Sequence, residues 1–416
     1  MSSLDLASLC LVVTALVAYL NRRFLRLPAT IGVMAIALGL SVLLVLLEAL
    51  GLDTLGDTAR ALLRSIDFSR LLMQGMLSLL LFAGALHVDL SQLRAMRWQV
   101  GALAFVGTLV SAPIVGLLAW ILLPFVGLEL PLPYCLVFGA LISPTDPIAV
   151  MGILKSLGAP RRVSLVIAGE SLFNDGVGVV LFSLMTIAID TGSLPSAGQA
   201  LHLLLREAVG GLAFGAALGG LGYLLLHSID AYHEEVLLTL ALVLGGYALA
   251  NHLHVSGPLA MVVAGLVIGN QGRAYAMSDR TREYVDAFWE LIDEILNAVL
   301  FVLIGLGLVV IPMTQPLLYA APVAISITLF ARWVSAGLPA ALFDSAFDLP
   351  RGAWKVLTWG GLRGGISVAL ALSLPHGPAR EQVVALTYAV VVFSVLVQGL
   401  TIGRVVRRTW PEACKP

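Results

Sequence analysis

Residues 143–147 read Ser143-Pro144-Thr145-Asp146-Pro147, and they interrupt an otherwise apolar stretch running from about residue 131 to about 154. That stretch has the length of a membrane span, since roughly 20 apolar residues cross a hydrocarbon core of about 30 Å. Each proline removes a backbone donor and clashes with the preceding helical turn, and an acid stands between the two. Irregular backbone at membrane depth is tolerated only where protein or a water-filled cavity covers it. A second interruption lies in the stretch 352–374, where Gly360-Gly361-Leu362-Arg363-Gly364-Gly365 sets four glycines around a base. Glycine weakens a helix interior by about 1 kcal/mol relative to alanine. One such break is ordinarily a packing kink; two, each centred on a charge, point to a pair of discontinuous helices.

The rest of the chain reads as membrane too. Of 416 residues, 59% are hydrophobic and only 12% are charged, with a mean hydropathy of +0.98. Soluble domains carry about 25% charged residues, so a soluble enzyme, a disordered regulator and a nucleic-acid binder are excluded. Twenty-four Lys and Arg against 25 Asp and Glu leave a net charge of −1 and no bulk field for an anionic partner. Cys10, Cys135 and Cys414 have no spacing for a disulfide framework or a thiolate metal site. The chain is therefore read as an all-α polytopic membrane protein, with residues 1–416 as one integral membrane domain. A ruler of about 20 residues gives thirteen spans, roughly 5–21, 29–50, 71–87, 99–126, 131–154, 163–190, 199–227, 235–252, 255–270, 287–311, 316–343, 352–374 and 380–403. The first is expected to be retained, because Met1–Leu4 has no basic residue and residues 21–28 offer no small-residue cleavage site.

Basic residues orient the chain, since Lys and Arg are held on the cytoplasmic side. Arg22, Arg23, Arg26, Arg94, Arg97, Lys155, Arg161, Arg162, Arg273, Arg280, Arg282, Arg332, Arg351, Lys355, Arg404, Arg407, Arg408 and Lys415, 18 of the 24, are assigned to one side. Arg60, Arg64, Arg70, Arg206 and Arg380 fall on the other, and Arg363 lies within a span. This puts the N-terminus outside and the C-terminus in the cytoplasm. The two interrupted spans, the fifth and twelfth, are seven apart and so run in opposite directions. That is the arrangement of two inverted six-helix repeats, about 5–190 and 235–403, joined by a linking helix at about 199–227. Secondary transporters use this architecture, with crossed discontinuous helices meeting at a midplane ion site.

A charge at the bilayer centre costs at least about 2.5 kcal/mol and needs a partner or a purpose. Asp146, Glu170, Asp175 and Arg363 are such charges, whereas Asp293 and Glu294 are read as interfacial residues opening the tenth span. The sixth span contains Gly169-Glu170-Ser171-Leu172-Phe173-Asn174-Asp175-Gly176. Glu170 and Asn174 stack on one helix face, with Ser171 and Asp175 on the neighbouring one. Glu170 and Asp175, about 140° apart, cannot share one partner. With Arg363 as the one base assigned to a span, one acid is paired and the others are not. An unpaired carboxyl in low dielectric holds a proton readily and can surrender it to a hard cation surrounded by oxygens. Ser171, Thr145 and carbonyls freed by the break could supply those oxygens. No Cys/His spacing suggests a transition metal.

At these residues the chain resembles the NhaP/NHE-type sodium/proton antiporters of the cation:proton antiporter superfamily. The strings 143–147 and 169–176, the glycine-rich 360–365 and the terminal Val397-Gln398-Gly399-Leu400-Thr401 match that family in order, over essentially the whole chain. The resemblance implies a thirteen-helix fold in which a core bundle moves against a dimerisation bundle like an elevator. It implies that Asp175 binds the ion and exchanges the proton, with Ser171 and the Thr145 backbone as ligands and Asp146 nearby. Asn174 beside Asp175 resembles the electroneutral branch, and Glu170 with Arg363 resembles the family's structural ion pair. Helix breaks fall at Pro144, Pro147, Gly360, Gly361, Gly364 and Gly365. Two departures stand out: Leu81-Phe82-Ala83-Gly84-Ala85 offers no acid from the third span, and no regulatory tail follows Arg408. A homodimer in a prokaryotic inner membrane is the expectation.

The function expected is electroneutral exchange of one Na⁺ or Li⁺ for one H⁺ at Asp175. Potassium/proton exchange by the same mechanism is the nearest alternative, and a cation channel or sensor on this scaffold is the alternative from another class. No nucleotide-binding loop is present, so ATP-driven pumping is set aside. No cofactor, nucleotide or nucleic acid is called for, and the partners are Na⁺, H⁺, lipid and a second copy of the chain.

Overall fold

The computed structural model describes residues 3–50, 75–193, 196–311, 314–342 and 347–412. Arg60, Arg64, Arg70, Lys415, Cys414 and the start of the expected third span lie outside the described residues. Among the described residues every regular element is helical. In chain order the principal helices are α1 (Ser3–Leu20), α2 (Ala29–Ala49), α3 (Leu77–Leu86), α4 (Thr108–Leu122), α5 (Leu132–Ile142), α6 (Ile148–Ser156), α7 (Arg161–Thr191) and α8 (Gly210–His227). They continue with α9 (Tyr232–His252), α10 (Gly257–Val267), α11 (Asp279–Gly307), α12 (Gln315–Arg332), α13 (Ala353–Trp359), α14 (Gly365–Leu372), α15 (Pro378–Phe393) and α16 (Gly399–Thr409). Nine helical stretches among the described residues are long and apolar enough to cross a membrane, and α3 and α5 are shorter apolar helices.

Local chemistry sets the ends that matter. The longest helix here, α7, starts after Pro160 and stops at Gly192, whose φ of 70° suits the left-handed position past a helix end. Helix α11 starts at Ser278, whose hydroxyl accepts from the Thr281 N–H. This cap precedes the expected start of the tenth span by more than two turns. Asp293 is therefore about four turns inside the helix, not at its opening. The acids of its first half concealed the start, because they resemble an interfacial connection.

The helices fall into two groups. One is built from α1, α2, α3, α8, α9, α10 and α11; the other gathers α4, α5, α7, α12, α15 and α16 around the interrupted pairs α5/α6 and α13/α14. The interruptions cross, and the Asp146 N–H donates to the Leu362 carbonyl at 2.8 Å. Both expected broken helices are thus present, and their breaks meet.

Candidate ion-binding site

Breaking two helices in an apolar interior frees carbonyls at two C-terminal ends and N–H groups at two N-terminal ends. Each end carries partial charge from the helix dipole. Past the end of α5, the Arg363 guanidinium donates to the Ser143 carbonyl and, at 2.8 Å, to the Pro144 carbonyl. At the end of α13, Arg332 Nε donates to the Leu357 carbonyl at 3.0 Å, and Gln398 Nε2 donates to the Trp359 carbonyl at 2.9 Å. Ser394 Oγ accepts from the Arg363 N–H at 2.8 Å. At the N-terminal ends the sign reverses. Asp146 Oδ1 accepts from the Ile148 N–H at 2.9 Å, capping α6. The same carboxylate lies against Gly364, just before α14, where any Cβ would collide with it. Two guanidiniums thus serve the C-terminal ends, and one carboxylate accepts from the start of α6 and packs against the residue before α14.

The Gly364 contact yields a prediction. Gly364→Ala forces Asp146 away from its cap and costs about 1–3 kcal/mol by overpacking. Unfolding in detergent should show that loss together with reduced transport, whereas alanine at Gly84, where a Cβ meets open space, should change neither by a comparable amount.

Between the breaks, Thr145 is held at three points by α7. Its N–H donates to Asn174 Oδ1 at 3.3 Å, its hydroxyl accepts from Asn174 Nδ2 at 2.9 Å, and its carbonyl accepts from Ser171 Oγ. Both ends of the Asn174 amide are therefore committed to Thr145. The Thr145 carbonyl and the Ser171 hydroxyl each keep a lone pair after this bond. Asp175, 9% exposed, turns toward a cavity of about 580 Å³ that is also lined by Thr145, Asp146 and Ser171. Among the described residues its carboxylate receives no hydrogen bond and no ion pair. The Asp146 and Asp175 carboxylates lie close enough to act on one another electrostatically. The wall from α3, at Leu77, Leu81 and Gly84, is apolar, as the absence of an acid there implied.

One expected pairing is corrected. Glu170 pairs with Arg332, not Arg363: both carboxylate oxygens accept from the two Arg332 terminal nitrogens, one at 2.9 Å, with Glu170 1% and Arg332 6% exposed. Arg332 belongs to α12 rather than to a connection, so it leaves the set of 18 assigned to one side, and two arginines, Arg332 and Arg363, are buried among the described residues. The position of Arg332 within the apolar run 316–343 was the available signal. Glu170 and Asp175 do turn to different neighbours, as their angular separation requires. Ser394, which accepts from the Arg363 N–H, and the cavity-lining Asp293 and Asn297 carried no sequence signal that singled them out for this site, and Gln398 stood in the matched terminal string without an assigned role.

Crossed half-helices meeting at a membrane-buried carboxylate beside a cavity define an ion-coupled secondary transporter. The profile of the transmembrane sodium/hydrogen exchanger family matches residues 12–408. The chain is 52% identical to the Na⁺/H⁺ antiporter NhaP of Pseudomonas aeruginosa, covering 98% of this chain and 97% of that protein. It is 37% identical to the Na⁺/H⁺ antiporter NhaH of Halobacillus dabanensis, over 86% and 87% of the two chains. The structure of the sodium/proton antiporter MjNhaP1 from Methanocaldococcus jannaschii superposes with a TM-score of 0.75 at 20% identity, covering 97% and 98%, and so shares the fold. The chain belongs to the sodium/hydrogen exchanger family.

Proposed function

We propose that this member of the sodium/hydrogen exchanger family exchanges one Na⁺ (or Li⁺) for one H⁺ without net charge movement, with Asp175 holding either ion but never both. The observation that carries the reading is the Asp175 carboxylate: buried at the cavity wall, free of any partner among the described residues, and beside the Thr145 carbonyl and the Ser171 hydroxyl. A dehydrated alkali cation takes oxygen ligands, and these three, with water and the nearby Asp146, are a fitting set. A proton on Asp175 removes the charge that attracts the cation, so occupancy by one excludes the other and the two fluxes are coupled. Asp146, which accepts from the Ile148 N–H at the start of α6, lies beside the exchanging carboxylate. Asn174 acts as the clamp that fixes Thr145 rather than as a ligand. The names of the relatives support sodium as the cation.

Alternating access fits the cavity's position between the two helix groups, with α3 and α11 on one wall and the broken helices and α7 on the other. The division into inverted repeats about 5–190 and 235–403, linked at about 199–227, is part of the same proposal. With the N-terminus outside and the C-terminus in the cytoplasm of a prokaryotic inner membrane, the cavity opens inward, toward His87, Asp89 and Arg161. The homodimer is also proposed: α1 is apolar and largely exposed within one copy.

Proteoliposomes carrying an internal pH dye test the exchange. Na⁺ and Li⁺ should drive proton movement, and a valinomycin potassium clamp should leave the rate unchanged. Sustained flux that requires the clamp would contradict electroneutrality, and movement with K⁺ alone would replace the substrate while keeping the mechanism.

A further inference from the structure

The cavity has a second polar cluster, on the wall opposite Asp175. Asp293 and Asn297 lie one turn apart on α11, and both line the cavity. Asn297 is 3% exposed, and neither its amide nitrogen nor its amide oxygen reaches a hydrogen-bond partner among the described residues. It approaches the Asp293 carboxylate without closing a bond to it. A buried amide left unpaired costs about 1–3 kcal/mol, so its persistence at a cavity wall calls for a ligand or water. Asp293 lies close enough to act electrostatically on Asp146. A carboxylate, an amide oxygen and a facing carboxylate form an oxygen-rich, anionic setting. At about 30 Å³ per water, a cavity of about 580 Å³ has ample room for an alkali cation that keeps much of its hydration shell.

We propose that Asp293 and Asn297 form a second cation site, which holds a partly hydrated alkali cation on the path between the cavity mouth and Asp175. The Asp293 carboxylate supplies the charge, the Asn297 carbonyl oxygen a direct ligand, and Asp146 attracts from across the cavity. At the mouth, Asp89 is engaged by Ser91 and Gln92, and the His87 ring meets the Ala83 carbonyl at 2.9 Å. These commitments leave Asp293 as the outermost carboxylate free to meet an entering ion. This inference rests on antiport at Asp175.

Equilibrium binding of ²²Na⁺ to the purified full-length chain separates the two sites. Asp175→Asn should retain sodium binding, weakened about tenfold, because the outer carboxylate remains. Adding Asp293→Asn should remove that residual binding, and adding Asn297→Ala in place of Asp293→Asn should weaken it severalfold, which keeps the test open if one double variant fails to fold. In proteoliposomes, Asp293→Asn alone should raise the sodium KM about tenfold with kcat changed less than about twofold; a merely structural role would lower kcat at constant KM. The proposal is overturned if Asp175→Asn binds no sodium while the wild type does, or if Asp293→Asn leaves the residual binding intact. A wild type that neither binds nor exchanges sodium would instead remove the antiport reading, and this inference with it.

Discussion

Asp175→Asn abolishes sodium-driven proton movement while the purified protein stays helical and monodisperse. Asparagine has nearly the shape of aspartate and loses only the charge and the titrating group. Because no described residue donates to the Asp175 carboxylate, no intramolecular contact is lost, and removing a buried unpaired charge leaves the melting temperature unchanged or raised. At an effective dielectric of about 20, a carboxylate and a monovalent cation about 4 Å apart attract by about 4 kcal/mol. Losing that attraction weakens sodium binding at this site roughly 10³-fold. The proton pathway fails with it, since an amide does not titrate. Sodium-dependent exchange that survives the substitution, in protein shown to be folded, would move the exchanging group elsewhere.

Arg332→Ala should destabilise the protein by about 3–5 kcal/mol, because it leaves Glu170 buried and charged with no partner. It also removes the donor to the Leu357 carbonyl. Replacing both partners, Arg332→Met with Glu170→Leu, should recover most of that loss, since an apolar pair of similar size carries no desolvation penalty. Arg363→Ala should cost less, about 1–3 kcal/mol, because it orphans carbonyls rather than a carboxylate. Denaturant unfolding of the three variants in detergent orders these effects. If Arg363→Ala proves the most damaging and Arg332→Ala neutral, Glu170 takes its counter-charge from Arg363 after all.

Pro144, Pro147 and the glycines of 360–365 act on their own backbone, so both helix breaks were legible without any knowledge of neighbours. The i, i+4 arithmetic of α7 likewise put Ser171 with Asp175 and separated Glu170 from it. What stayed hidden depends on contacts across the chain. Glu170 and Arg332 are 162 residues apart, and no local pattern marks one of two buried arginines as the partner. Placement decides it: each guanidinium is bound to carbonyls at one broken end, and only the Arg332 terminal nitrogens reach Glu170 on α7. Asn174 was legible as a polar residue beside Asp175, but its commitment to both Thr145 groups depends on where the break settles. Asp293 was obscured by the run Asp286, Glu290, Asp293 and Glu294, which resembles the polar edge of a span until the helix is known to start at its Ser278 cap.

Competition between sodium and proton for one carboxylate has a direct kinetic signature. The most direct measurement is initial ²²Na⁺ exchange in proteoliposomes as a function of sodium concentration, repeated at a series of acidic pH values set equally on both sides. Competition at Asp175 predicts that the sodium KM rises toward about tenfold per pH unit on the acidic limb, while the maximal rate at saturating sodium stays constant. A sodium KM that does not change with pH, with only the maximal rate falling, would mean that the two ions bind separate groups and would contradict the account.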